Sequence, residues 1–586
     1  VALTALAIAV RIAWVLAVPT VPVSDFAMYR ESANYLSEFG RLDGGFIYMP
    51  GFVALLAAVQ NLGGGLVAQK MLGVLFGGVG AAGLYVAAFH LFESRRVAVV
   101  ATMGYALWPA GVALSSVVGT DVPAAALLVV AIGVLSALGP RRPWLAAVLY
   151  GVVMGLAAWV RAVALPLSGL ALGYWLARRT RWPRAVALTV VGVAATLVVL
   201  APWAARHARQ SGQIYFTDDH GGITALLGAN PNSEGTYTRA LNQLFRDVTG
   251  RGVLDEPHRE VDQAAYALAK DWIRFEPAYA LGLGARRAER LFDLERYLLY
   301  WPVFRPGVLV GAPAAWFEAR RERIGGAVDA FGALIGGLAI AGVALALLRR
   351  RWPALALVPF QLALAATYVV FFAEPRYRVP IELLAFPFAA LALVELADFA
   401  VALVRRARPE VRRTGVPLAL AAVVVLVAEV AWPALGSAGA SLRARHRWAA
   451  DVWRVGGGAS LAKWRDLDAR ASSALEGGAG GVKLAVDAGR ATTTAVEVSG
   501  TFQPGTWRLS LDAAASPPVR VRIETASGAL LADVAVPAGP PLHVVTAVVL
   551  DHTESPLRFL VKAGAGAPAT LIVSGFALDR EAAPGS

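Results

Sequence analysis

Two aspartates and four arginines stand at the edges of apolar segments, where a charged side chain is costly and calls for a reason. Asp25 lies in "VPVSDFAMYRESANYL" (21–36), directly after the first apolar run, with Tyr29 and Arg30 close behind and "YMPGF" (48–52) further on. Asp121 opens an apolar run in "SSVVGTDVPAA", Arg161 closes one, and Arg206 lies in "PWAARHARQ" (202–210). Arg376 and Arg378 follow Glu374 in "AEPRYRVP" (373–380), whose flanking prolines predict extended backbone with the three charges alternating onto one side. Carboxylates beside guanidinium groups at a bilayer edge make a site where one carboxylate takes a proton while the cations hold an anionic phosphate. Arginine suits this, because its fork matches phosphate oxygens and it stays charged in a partly dry site. A phosphate held at the membrane edge points to a lipid-borne donor.

Each position also has a plainer structural role available. Ser24 or Asp25 fits an N-cap, and Thr120-Asp121 with Pro123 just inside fits a helix start. Arg161, Arg376 and Arg378 would snorkel to lipid phosphates. In "TDDHGG" (217–222), Asp218, Asp219 and His220 are weak candidates for a cation, with a polar turn as the simpler alternative. These roles explain the positions one by one but not their convergence.

The convergence comes from the elements that carry them. Of the 586 residues 57% are hydrophobic and only 16% charged, which predicts an integral membrane protein. About eleven segments approach the roughly 20 apolar residues a span needs: 1–18, 66–90, 97–114, 122–138, 144–160, 162–177, 185–204, 327–348, 353–372, 380–403 and 416–436. The first is short and reads as a truncated span rather than a signal peptide, since no small-residue cleavage site follows it. The net charge of +13 comes from arginine runs between spans, at Arg95-Arg96, Arg141-Arg142, "RRTRWPR" (178–184), "RRRW" (349–352) and "RRARPEVRR" (405–413). That pattern follows the positive-inside rule and argues against nucleic acid as partner. With those turns in the cytoplasm, 19–65, 205–326 and the tail from about 437 face outward, and so do all the charged positions named above. The loop 205–326 predicts a helical cap with a break at Pro277. In the tail, 437–480 reads as linker, and alternating stretches in 481–586 such as "GTWRLSLDAA" and "LHVVTAVVL" predict a β-sandwich. There is no cysteine, so disulfides and thiolate chemistry are excluded.

In order and placement these motifs resemble one family, the polytopic GT-C glycosyltransferases, especially bacterial relatives of protein O-mannosyltransferases and the lipid A aminoarabinose transferase. The likeness rests on "SDFAMYRESANYL…GGFIYMPGF", "GTDVPAAALL", "GLAAWVRAVALPL" (155–167), "APWAARHARQSGQIYFTDDHGGITALLGANP" (201–231) and "AEPRYRVPIELLAFPF", within 1–436. It implies a GT-C-like transmembrane catalytic domain over 1–436. It further implies inverting transfer of a sugar from a polyprenyl-phosphate carrier to an envelope glycan, lipid or protein at the outer face of a bacterial inner membrane. Asp25 would match the family's general base and Asp121 its second acidic position. Arg161, Arg206, Arg376 and Arg378 would grip the donor phosphate, and Tyr29, Tyr48, His207 and His220 would shape the sugar or acceptor pocket. A monophosphate carrier requires no metal or other cofactor to leave. Two departures stand out: Phe26 follows Asp25 where protein mannosyltransferases tend to carry an acidic pair, and His207 follows Arg206 where bacterial relatives often have Asn. The tail would be a carbohydrate-binding module, with Trp507 as a stacking candidate or else a core residue. The rival classes are a lipid-linked-sugar transporter or flippase, a ligase or polymerase using a diphosphate donor, and a glycan-binding membrane anchor.

Overall fold

The computed structural model describes residues 1–42, 46–218, 220–230, 233, 245, 252, 258–275 and 277–445, and in the tail 475–478, 481–486, 494–498, 505–516, 519–524, 530–539, 542–550, 557–563 and 569–580. It forms two compact units. One comprises Val1–Asp218, Ala288–Val369 and Ala373–Ala434, the other Asp219–Arg287, Val370–Phe372 and Leu435–Ser586.

The chain is a multi-pass membrane protein. Among the described residues, eight helices are long and apolar enough to span: Leu66–Phe92, Asp121–Leu138, Pro143–Val160, Trp182–Arg209, Arg321–Leu348, Trp352–Val370, Pro375–Val404 and Arg408–Arg443. The other three expected segments form shorter or interrupted apolar helices. Ala2–Ala17 has only 16 residues, 97–114 divides into Arg95–Ala106 and Pro109–Leu114, and 162–177 divides around a 3-10 turn at Ser168–Leu170.

Proline causes the middle break. Pro109 has no N–H to return to Tyr105, whose carbonyl keeps a long bond from Trp108 N at 3.3 Å, so the carbonyls of Tyr105 and Ala106 end a helix inside the apolar layer, where poorly satisfied carbonyls are costly. Arg11 meets them: Nη2 donates to Tyr105 O and Nη1 to Ala106 O, both at 3.3 Å, and the guanidinium lies 4.7 Å from the Tyr105 ring centre. A fully buried arginine on the first helix thus serves as the C-terminal cap of another. Gly77 makes the room, since a Cβ there would stand 2.4 Å from Arg11 Cδ.

At one end of this unit the arginine turns are cross-linked. Arg96 pairs with Asp398 at 2.7 Å, Arg349 with Glu395 at 3.0 Å, and Arg351 donates to Phe92 O at 2.5 Å. Because successive helices run in opposite directions, the first residue of Asp121–Leu138, the cap of Pro143–Val160 and the start of Val379–Val404 all fall at the other end.

In the second unit the short helix Gly221–Gly228 is held at both ends. The Asp262 carboxylate accepts from Gly222 N at 2.6 Å and Ile223 N at 3.0 Å, and Arg287 donates to Gly228 O. The expected helical pattern divides as predicted into His258–Phe275 and Pro277–Leu291. The helix Arg408–Arg445 runs into the stretch expected to be linker, and strand β1 (Leu475–Gly478) ends inside it. The tail forms two antiparallel sheets. The first has the order β1, β2 (Gly481–Val486), β9 (Ala569–Arg580), β4 (Gly505–Ser516), β7 (Leu542–Leu550). The second has the order β3 (Thr494–Val498), β8 (Leu557–Ala563), β5 (Val519–Glu524), β6 (Leu530–Val536). Val519, Val521 and Ile523 are buried in alternation along β5.

Candidate functional site

Asp25 is the first residue of the helix Asp25–Phe39, and it does not serve as a cap: Ser24 precedes it with φ 56° and caps nothing with its side chain. One turn of approach is set by its neighbour. Phe26 is buried with its ring against Gly119, where a Cβ would lie 2.7 Å from the ring, and edge-on to Trp301 at 5.5 Å. The "GTD" glycine therefore lets the start of one helix settle on the start of another, which brings Asp25 near Asp121. Thr120 likewise makes no side-chain cap, which leaves the Asp121 carboxylate to other partners.

Those partners form a ladder of alternating charge. Asp25 is paired with Nη2 of Arg376, Arg376 Nη1 lies 3.9 Å from Asp121, and Asp121 is paired with Nη1 of Arg161. The two carboxylates differ in access: the Asp25 side chain is 29% exposed and that of Asp121 only 4%. An ionised carboxylate open at the surface can receive a proton, whereas one sealed between two guanidinium groups can only orient them. Aromatic rings wall the ladder. Arg376 lies 5.1 Å from the ring of Phe26, 4.9 Å from Trp301 and 5.3 Å from Tyr377, and Arg161 lies 4.4 Å from Tyr377 and 5.9 Å from Tyr368. The buried Nε of Arg376 has no hydrogen-bond partner among the described residues.

Tyr29 and Tyr48 come together beside it, ring centres 5.4 Å apart, with Tyr29 edge-on to Phe52 at 6.1 Å. Burial, and next the Asp25 charge, push both phenols above their ordinary range, so both remain protonated donors. Glu374, in the turn before Arg376, is also pushed up by burial, against the pull of Arg376 and Arg290.

Arg378 departs from the expectation. Pro375–Arg378 is a 3-10 turn rather than extended backbone, and at about three residues per turn its second and fourth positions point apart. Arg376 enters the ladder, while Arg378 enters a separate buried network. Its Nη2 bonds Glu295 at 2.7 Å, its Nε bonds Glu382 at 2.5 Å, and Nη1 donates to the carbonyls of Leu291 and Asp293. Glu295 in turn accepts from Trp108 Nε1 at 2.7 Å. With these donors directed to protein acceptors, Arg378 holds the 291–295 segment in place.

The remaining candidates have other surroundings of their own. Arg206 lies over Trp203 at 4.8 Å near the end of the helix Trp182–Ser211, and His207 is buried between Trp203 at 4.5 Å and Tyr215 at 3.8 Å. His220 belongs to the second unit, at the head of the helix Gly221–Gly228. Asp218 is half-buried, and Asp219 lies outside the described residues. Among the described residues no three histidines or carboxylates are grouped to hold a metal. Sequence reasoning missed Trp301 and Tyr377 as ring walls and Glu295 as the partner of Arg378. The Tyr between Arg376 and Arg378 was the only local signal for any of them.

No family model matches the chain, and no curated protein matches it. Two solved structures show a weak similarity to the chain. One is the oligosaccharyltransferase of Archaeoglobus fulgidus tethered with an acceptor peptide, at 16% identity and TM-score 0.40, covering 75% of this chain and 55% of that one. The other is the arabinosyltransferase EmbB of Mycobacterium smegmatis, at 12% identity and TM-score 0.21, covering 99% of this chain and 65% of that one. The chain spans less than two thirds of the length of either.

Proposed function

We propose that this protein is a GT-C-type glycosyltransferase that moves a sugar from a polyprenyl-phosphate donor to an acceptor hydroxyl on the extracytoplasmic side of a bacterial inner membrane. The observation that carries this is the ladder: an accessible carboxylate, Asp25, at the membrane edge, joined through Arg376 to a buried orienting pair, Asp121 and Arg161. Asp25 takes the acceptor's proton as the hydroxyl oxygen attacks the anomeric carbon. The bond from that carbon to the phosphate oxygen breaks with inversion, and the lipid phosphate leaves with its charge met by guanidinium donors. Asp121 does not touch the reacting atoms; it fixes Arg161 and Arg376. Tyr29 and Tyr48, protonated and adjacent, suit a sugar pocket. The motif resemblance over 1–436 agrees with this chemistry and with a cap built from 19–65 and 205–326. The alternating burial of β5 agrees with a sandwich in which the two tail sheets face each other.

The test is a release assay with purified protein in lipid, a panel of radiolabelled polyprenyl-phosphate sugars and a cell-envelope extract as acceptor. Asp25→Asn should lower turnover on the order of 10²–10⁴-fold, the span of general-base contributions, while donor binding persists. Asp121→Asn should weaken donor binding and turnover together. Near-normal turnover by Asp25→Asn removes the base. Binding of a carrier without transfer by the wild type to any acceptor shifts the function to transport of the lipid-linked sugar.

A further inference from the structure

The charges of the ladder balance before any donor arrives. Asp25 and Asp121 are matched by Arg161 and Arg376, while in the separate network Arg378 faces two carboxylates, Glu295 and Glu382. A phosphate brought to this neutral assembly needs a further cation, all the more because Asp25 repels it. Arg305 is placed to supply one. Its guanidinium lies 4.3 Å from the centre of the Trp301 ring, and the same ring lies 4.9 Å from Arg376, so a single indole separates or shares the two cations. Among the described residues Arg305 faces no carboxylate, and it is half-buried rather than sealed.

The backbone holds this arrangement. Tyr300–Phe304 is a single π-helical turn, closed by Arg305 N donating to Tyr300 O at 2.6 Å. Such turns are rare and recur at functional sites. The segment is tied to the loop carrying Asp25, since Val21 N donates to Val308 O at 2.8 Å and Thr20 bridges Leu309. Tyr300 is 40% exposed and stands edge-on to Trp301 at 5.5 Å, leaving an open aromatic rim beside the cation.

Resting on the donor class proposed above, we propose that Arg305, stacked on Trp301, binds the lipid phosphate of the donor, and that the Tyr300–Trp301 rim receives the first isoprene units. Arg305 takes the place that the sequence assigned to Arg378. The carrier monophosphate docks against Arg305, with its sugar toward Asp25 and its chain across the aromatic rim.

The test uses the full chain in detergent micelles and compares undecaprenyl phosphate with undecaprenol, the uncharged alcohol, by native mass spectrometry. The wild type should prefer the phosphate. Arg305→Gln should lose about tenfold to hundredfold in affinity for the phosphate, the range for a hydrogen bond to a charged group, and bind the alcohol unchanged. Arg305→Lys should recover part of the loss, and Trp301→Ala should weaken both ligands. Inorganic phosphate at millimolar concentration should not compete. An Arg305→Gln protein that keeps the wild-type preference overturns this assignment while leaving Asp25-dependent transfer intact as a separate result. Equal competition by phosphatidylglycerol overturns it in favour of a general anionic surface. A wild type with no preference for phosphate over alcohol removes both this proposal and the donor class beneath it.

Discussion

At the scale of single residues, the site depends on carboxyl groups in unequal surroundings. The Asp25 side chain is partly exposed and that of Asp121 is sealed, and in the function proposed above that difference, more than residue type, divides a proton acceptor from an orienting group. Both aspartates were legible in the sequence, because an acid beside an apolar run stands out. The rings were not, since Trp301 and Tyr377 look like any other aromatics at a membrane edge until Arg376 lies against them. Arg378 was misplaced because flanking prolines are equally compatible with a 3-10 turn, which separates the two arginines instead of aligning them. Glu374 gives a pH prediction at this scale. Burial raises its carboxyl above 4.5, opposed by Arg376 and Arg290 and reinforced by Asp25. Between the unfolded and folded values the folded protein holds a proton that the unfolded chain has shed, so stability falls as pH rises through that window. Glu374→Gln should therefore flatten the thermal-stability profile above about pH 4.5, raising the melting temperature at pH 7 relative to wild type and leaving it unchanged at pH 4. An equal shift at both pH values would show that the carboxyl does not titrate in this window.

At the scale of elements, eight of the eleven apolar runs read from hydropathy correspond to long helices among the described residues, because length and composition decide a span. What hydropathy does not register is interruption. The run 97–114 has an unbroken apolar pattern, yet Pro109 divides it, and the division is tolerated only because Arg11 supplies the missing donors. The buried charge of Arg11 is thereby accounted for as a cap. Gly77 is the counterpart of that cap, since any side chain there collides with the arginine stem. Gly77→Ala should displace Arg11, expose the carbonyls of Tyr105 and Ala106, and destabilise the fold by about 1–3 kcal/mol, the usual cost of overpacking. Gly336→Ala, at a helical glycine with nothing within 4 Å of its Cβ position, should leave stability unchanged or raise it slightly. Equal melting temperatures for the Gly77→Ala and Gly336→Ala proteins would show that the cap tolerates displacement.

At the scale of the whole molecule, arginine placement argues for which way the chain faces. The turns at 95–96, 141–142, 178–184, 349–352 and 405–413 concentrate positive charge at one end of the span-bearing unit, the end that the function proposed above puts in the cytoplasm, in agreement with the positive-inside rule. The segment 288–323 is also rich in arginine and sits at the opposite end of that unit, which would weaken the argument if those charges were unopposed. Several are not: Arg290 pairs with Asp293 at 3.5 Å, Arg296 with Glu322 at 2.9 Å and with Asp329, and Arg321 with Glu318 at 3.4 Å. The turns at the other end keep more of their charge, so the bias agrees with the outward-facing site proposed above. The complete lack of cysteine makes this directly measurable, because a single introduced thiol is the only one in the chain. Leu62 is 88% exposed at the site end, and Pro140 is exposed at the arginine-rich end. In intact bacterial cells a membrane-impermeant maleimide should label Leu62→Cys at once and Pro140→Cys only after permeabilisation. The reverse pattern would place Asp25 and Arg305 on the cytoplasmic side, where the acceptor would have to be a cytoplasmic-face lipid or protein and the envelope assignment would fall.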